Sequence, residues 1–173
     1  MTGGASSLRE SVALDPVLFG HASRLLAALR WSGLAMVEFR VTPDGPELME
    51  INGRVWGSLP LAVRAGMDFP GRLAELLLDG TPAEGPPVTE YRAGVRARNL
   101  RLEISWIGAV ATGRRRYLEL PWPRRTAAVG AALSLLDPRI EDDHFVRSDL
   151  GPGLALAAGI GREAIRKVVG RAA

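Results

Sequence analysis

Two short runs on either side of a turn-rich cluster narrow the possible folds more than anything else in the chain. Residues 33–41 read GLAMVEFRV and residues 47–52 read ELMEIN, with Thr42, Pro43, Asp44, Gly45 and Pro46 between them. Both runs alternate polar and apolar positions, the period of a strand with one face buried. The turn residues between them predict an antiparallel hairpin. With Asp44 at its centre, Val41 lies opposite Glu47, Glu38 opposite Glu50, and Met36 opposite Asn52. One face then carries Met36, Glu38, Arg40, Leu48, Glu50 and Asn52, and the other, a core face, carries Val37, Phe39, Val41, Met49 and Ile51.

That register sets two carboxylates against each other. Directly opposed side chains on neighbouring strands have Cβ atoms about 4.5 to 5.5 Å apart, and like charges there repel. A hard cation turns the repulsion into binding: Mg2+ takes oxygen ligands, commonly one or two carboxylates together with phosphate oxygens. Asn52 adds an amide oxygen on the same face, and Arg54 projects the same way if the strand continues, bringing a fixed positive charge to a phosphate or acyl phosphate. The plain alternative is a solvated outer face, since alternating residues describe any half-exposed hairpin.

Helices are expected around this hairpin. Asp15 followed by Pro16 is a helix start, an N-cap side chain before proline in the first turn. Leu18, Ala22, Leu25, Leu26 and Leu29 then recur at helical spacing to about Arg30. A helix from Ser58 should stop at Gly66, and another from Pro70 to Leu78 at Gly80. Residues 81–88 read as a Pro/Gly-rich loop and Tyr91–Arg98 as a strand. Leu100–Val110, Thr126–Leu136 and Gly153–Val169 read as helices, the last weakened by Gly159 and Gly161. Residues 1–14 are polar and rich in Gly and Ser, and read as loop.

Composition removes several function classes. There are no cysteines among the 173 residues, so disulfides, thiol nucleophiles and thiolate metal sites are excluded. No apolar run approaches the roughly 18 residues of a membrane span, and the first residues lack the basic and apolar regions of a secretion signal. These features suit a cytoplasmic protein. The formal charge is +3, carried by scattered arginines with short clusters at Arg114–Arg116 and Arg124–Arg125. Such clusters could meet nucleic-acid phosphates, but an arginine-rich solvated surface accounts for them and nucleic acid is not the expected partner. His21 reads as packed or surface, Trp56 as core, and the run Glu141, Asp142, Asp143, His144 as an exposed loop rather than a metal site.

At the hairpin the chain resembles the ATP-grasp superfamily, of the carbamoyl-phosphate-synthetase-like or carboxylate–amine ligase type. The match is V-E-F, a turn, then L-M-E-I-N-G-R, with Glu38 and Glu50 twelve positions apart. The resemblance implies that Glu38, Glu50 and Asn52 hold Mg2+, with Mn2+ as an alternative, against ATP, and that Arg54 contacts the transferred phosphoryl group. TGGASSLRES at Thr2–Ser11 resembles the loop beside the acceptor substrate, which would give Gly3, Gly4, Ser6 and Ser7 a substrate or phosphate role. A flexible terminus is the other reading of that loop. WGSLPLAVRAGMDFP at residues 56–70 resembles the segment that follows the hairpin in these proteins. Gly53 stands where many relatives have proline or threonine, which should loosen the strand end.

The expectation is therefore an α+β fold, an antiparallel sheet backed by helices. Residues 1–80 would form the C-terminal lobe of an ATP-grasp fold, with its hairpin at 33–54, and residues 81–173 a mostly helical extension. The implied function is ATP- and Mg2+-dependent activation of a small carboxylate as an acyl phosphate for attack by an amine or other nucleophile. In this superfamily lysines of an earlier lobe grip the phosphates, whereas Lys167 is the only lysine here. That points to an incomplete enzyme, inactive alone, that needs a missing lobe or a partner chain. A non-catalytic module partnering another chain is the alternative, a basic nucleic-acid-binding protein is the second alternative, and self-association through a bare apolar face is a further expectation.

Overall fold

A computed structural model describes residues 6–80, 90–113, 122–146 and 148–169. The fold is α+β, with two small sheets and six helices among the described residues. By its internal contacts the chain divides into two units: Ser11–Val95 is one, and the residues up to Glu10 together with those from Arg96 onward are the other.

The Ser11–Val95 unit begins with α1 (Pro16–Ala28). The Asp15 carboxylate accepts from the backbone N–H groups of Val17 and Leu18, satisfying two of the donors that every helix start leaves open. Leu18, Ala22, Leu25 and Leu26 are half-buried along one side of the helix. Next come β2 (Met36–Thr42) and β3 (Gly45–Asn52), paired antiparallel. The helices α2 (Leu59–Ala65) and α3 (Phe69–Asp79) follow and end at Gly66 and Gly80, both in the left-handed conformation that glycine adopts without strain. Trp56 packs edge-on against Phe69, ring centroids 5.5 Å apart, in the structural role expected of it. Residues 90–95 return to the start of the unit: Ser11 and Val95 bond through backbone and hydroxyl, and Tyr91 donates its hydroxyl to the carbonyl of Val12.

The other unit is built on a three-stranded sheet in the order β1 (Leu8–Glu10), β4 (Arg96–Arg98), β5 (Ile140–Asp142). β1 runs antiparallel to β4, and β4 parallel to β5. A parallel pair needs a crossover, supplied by α4 (Leu100–Thr112) and α5 (Arg125–Ser134), after which α6 (Gly151–Val169) closes the chain. Ala97, Val110, Ala128 and Ile140 are buried at the centre of this unit. Arg98 and Glu103 are buried with them at 3% exposure each; Arg98 Nη1 lies 3.2 Å from Glu103 Oε2, and Ser134 donates its hydroxyl to the other Glu103 oxygen. Burying a charge is costly unless it is paired and hydrogen-bonded, and here both conditions are met.

Several expectations are corrected. Residues 8–10, read as part of a loop, form β1, because the unpaired edge of β4 is available to them. The expected strand from Tyr91 is confined to Arg96–Arg98: residues 91–95 join no strand ladder, and instead Arg92 bonds to the carbonyls of Arg64 and Ala65 while Tyr91 and Val95 bond to Val12 and Ser11. The acidic run at 141–144 is not an exposed loop. Glu141 and Asp142 lie in β5, Asp142 accepts from Leu100 N at the start of α4, and Asp143 pairs with Arg9. The 81–88 loop, Gly3, Gly4 and the Arg114–Arg116 cluster lie outside the described residues.

Candidate metal and phosphate site

The hairpin turn is tighter than the sequence suggests. Thr42 pairs with Gly45, leaving only Pro43 and Asp44 in the loop, and Thr42 Oγ1 donates to the Gly45 carbonyl at 2.9 Å. A two-residue loop puts Val41 opposite Pro46 and Arg40 opposite Glu47, one step away from the expected register. The ladder then shifts between Glu38 and Phe39: Phe39 faces Leu48, while Glu38 faces Glu50, so Met49 is the extra residue of a β-bulge. Beyond the bulge the register is the expected one, with Val37 opposite Ile51 and Met36 opposite Asn52.

The bulge redistributes the faces. Opposed residues share a side of the ribbon, so Leu48 sides with Phe39 rather than with the glutamates, and Glu47 joins Arg40 on the polar side. Arg40 and Glu47 approach to 4.0 Å but are both exposed, a geometry that contributes little. The apolar side is covered only toward the far end of the ribbon: Val37, Phe39 and Ile51 are half-buried, whereas Val41 is 69% exposed. His21 of α1, itself exposed, reaches Phe39 with ring centroids 6.5 Å apart.

Glu38 and Glu50 thus face each other, exposed, with no ion pair to either among the described residues. The side-chain amide of Asn52 donates to Glu50 Oε1 at 2.5 Å, which holds these two side chains together and leaves the Asn52 carbonyl oxygen available. Two carboxylates and an amide oxygen form a hard, all-oxygen donor set of the kind that suits Mg2+ together with water and phosphate. Among the described residues no cluster of three or more His, Cys, Asp or Glu could hold a metal, so a Mg2+ ion here would draw the rest of its shell from Asn52 and a ligand. Arg54 follows the strand, exposed, its Nη1 donating to the Val55 carbonyl at 3.1 Å.

Sequence reasoning gave no part to Trp31. Its indole N–H donates to the Leu34 carbonyl at 3.2 Å, fixing the ring, and the ring lies directly on Gly53. A Cβ at position 53 would collide with it. The absence of a side chain between Asn52 and Arg54 is therefore filled by an aromatic ring from the end of α1, so this end of the strand is packed, not loosened as expected. The signal was present as a tryptophan two residues before the Gly33 that opens the first strand run, but nothing local ties it to Gly53.

Of the Gly-rich loop, Ser6 and Ser7 are described. Ser6 is exposed, and Ser7 is half-buried with its carbonyl accepting from Asn99 N.

The family of ATP-grasp proteins described as "ATP-grasp in the biosynthetic pathway with Ter operon" matches residues 3–101 of the 173. The chain belongs to the ATP-grasp family. The match contains the whole Glu38–Glu50 hairpin, the Ser6–Ser7 loop and β4. An ATP-dependent, ligase-type function follows at that coarse level. No curated protein and no solved structure matches the chain. No helix among the described residues is long and apolar enough to cross a membrane.

Proposed function

We propose that this ATP-grasp chain is the metal- and phosphate-holding lobe of a carboxylate–amine ligase, with Glu38, Glu50 and Asn52 as ligands of Mg2+ and Arg54 as the contact for the transferred phosphoryl group. The observation that carries the proposal is the pairing of Glu38 with Glu50 across the ribbon, two exposed like charges with no cationic side chain paired to either.

The chemistry is phosphoryl transfer followed by substitution. The γ-phosphoryl of ATP passes to a carboxylate oxygen, giving an acyl phosphate and ADP; an amine then attacks the acyl carbon and inorganic phosphate leaves. Mg2+, when bound, neutralises charge on the phosphate oxygens. The chain's own part is positioning and electrostatics, which dominate this class of reaction. The Asn52 amide keeps Glu50 aligned, and the guanidinium of Arg54 offers a fork of donors matched to phosphate oxygens. Backbone N–H groups of Gly3, Gly4, Ser6 and Ser7 are proposed to meet the substrate. Lys167 is the sole lysine of these 173 residues, so a lysine grip on the ATP phosphates would come from outside them. The small carboxylate and the amine would belong to the biosynthetic pathway that the family description associates with the Ter operon.

Two measurements on the full chain test this. Mn2+ binding, followed by water-proton relaxation, should weaken at least tenfold in Glu50→Gln and Glu38→Gln. Calorimetric titration with ATP should show binding that needs Mg2+ and falls in Arg54→Ala. Metal binding indifferent to both glutamates would overturn the assignment.

A further inference from the structure

We propose that the pocket between the end of α1 and helix α3 is a second binding site, and that it takes a small carboxylate anion with an aromatic body. This goes beyond the metal reading and does not depend on it.

The pocket is an open groove of about 300 Å³ lined by Trp31, Leu34, Arg72, Leu73 and Leu76, with Ser32 and Gly33 at the chain bend. That volume lies at the small end of ligand cavities. Arg72 and Leu73 stand four and three residues before Leu76, so α3 turns all three toward one side. The aromatic and aliphatic walls offer a flat ring a place to pack. The one polar atom of the Trp31 side chain is already committed to the Leu34 carbonyl, so the indole presents ring surface rather than a donor.

Arg72 decides the charge of the occupant. Its side chain makes no ion pair and no hydrogen bond among the described residues. The carboxylates nearest in sequence do not neutralise it: Asp68 is occupied in capping Gly71 N, and Glu75 forms no pair with it. A guanidinium beside an apolar cavity favours a planar anion that it can hold through two parallel bonds. A single cation matches a single carboxylate, whereas a nucleoside triphosphate would bring several negative charges to it.

The test uses the full chain in EDTA, so that its outcome is independent of metal and ATP binding. The probes are 3-phenylpropionate, the neutral 3-phenyl-1-propanol and propionate, titrated by calorimetry or ligand-observed NMR. Phenylpropionate should bind at least tenfold tighter than either of the others. Arg72→Gln, an exposed substitution, should leave the melting temperature unchanged and abolish the preference for acid over alcohol. Leu73→Trp should fill the cavity and remove binding of both ring compounds. Equal affinity for acid and alcohol, an acid affinity unchanged by Arg72→Gln, or no binding of any probe at millimolar concentration would overturn the proposal.

Discussion

The indole of Trp31 occupies the space that a side chain at residue 53 would need, so Gly53 and Trp31 form one packing unit beside Asn52 and Arg54. A single added methyl should be costly there. Gly53→Ala is expected to destabilise the fold by about 1–3 kcal/mol, the usual range for overpacking. The cost should shrink when Trp31 is replaced by leucine in the same chain. Denaturant melts of the two single variants and the double variant measure the coupling directly. Additive effects would mean that the ring moves aside freely.

The opposed glutamates should reveal themselves through stability as well as binding. Without divalent ions, Glu38→Gln removes a like-charge contact and should raise stability by about 0.2–1 kcal/mol. With Mg2+ present the sign should reverse, because the parent chain gains stability from a ligand that binds only its folded state. Thermal melts in EDTA and in millimolar Mg2+ give both values. A variant that responds to Mg2+ as the parent does would break the link between this pair and the metal.

Two arginine–glutamate pairs offer a contrast. Arg98 and Glu103 are buried, so Glu103→Ala would strand a charge in the interior and should cost about 3–5 kcal/mol. Arg40 and Glu47 are exposed and 4.0 Å apart, so Arg40→Ala should change stability by less than about 1 kcal/mol. Chemical denaturation of each variant tests the difference.

The start of α1 gives a smaller effect. Asp15 accepts two backbone bonds, and Asp15→Ala should cost about 1 kcal/mol. Ser58 begins α2 with no side-chain cap, so Ser58→Ala should cost less at that helix start. The same melts rank the two.

Features whose signal lies within a few residues were legible in the sequence. Asp15 with Pro16 opens a helix, Gly66 and Gly80 close two more, and alternation marks the two strands of the hairpin. The facing of Glu38 and Glu50 was legible too, although by a different route: the two-residue turn displaces the ladder by one step and the bulge at Met49 restores it. Neither device has a local signature in Leu48, Met49 and Glu50. β1 and β5 were missed because three residues show no period, and each depends on β4, far away in sequence. Arg98 and Glu103 look like surface residues in a list of residue types; only the packing of α4 and α5 makes them interior. The Trp31–Gly53 contact was hidden for the same reason.

The pairing of β1 with β4 also imposes an order of events during synthesis. Leu8–Glu10 emerge from the ribosome among the first residues described, yet their partner Arg96–Arg98 is translated only after the whole Ser11–Val95 unit. At ordinary translation speeds that is a delay of roughly 4 to 17 seconds. The hairpin with its facing acids can therefore form on the nascent chain first, while the opening strand waits, unpaired and open to a chaperone, for the strand that will hold it.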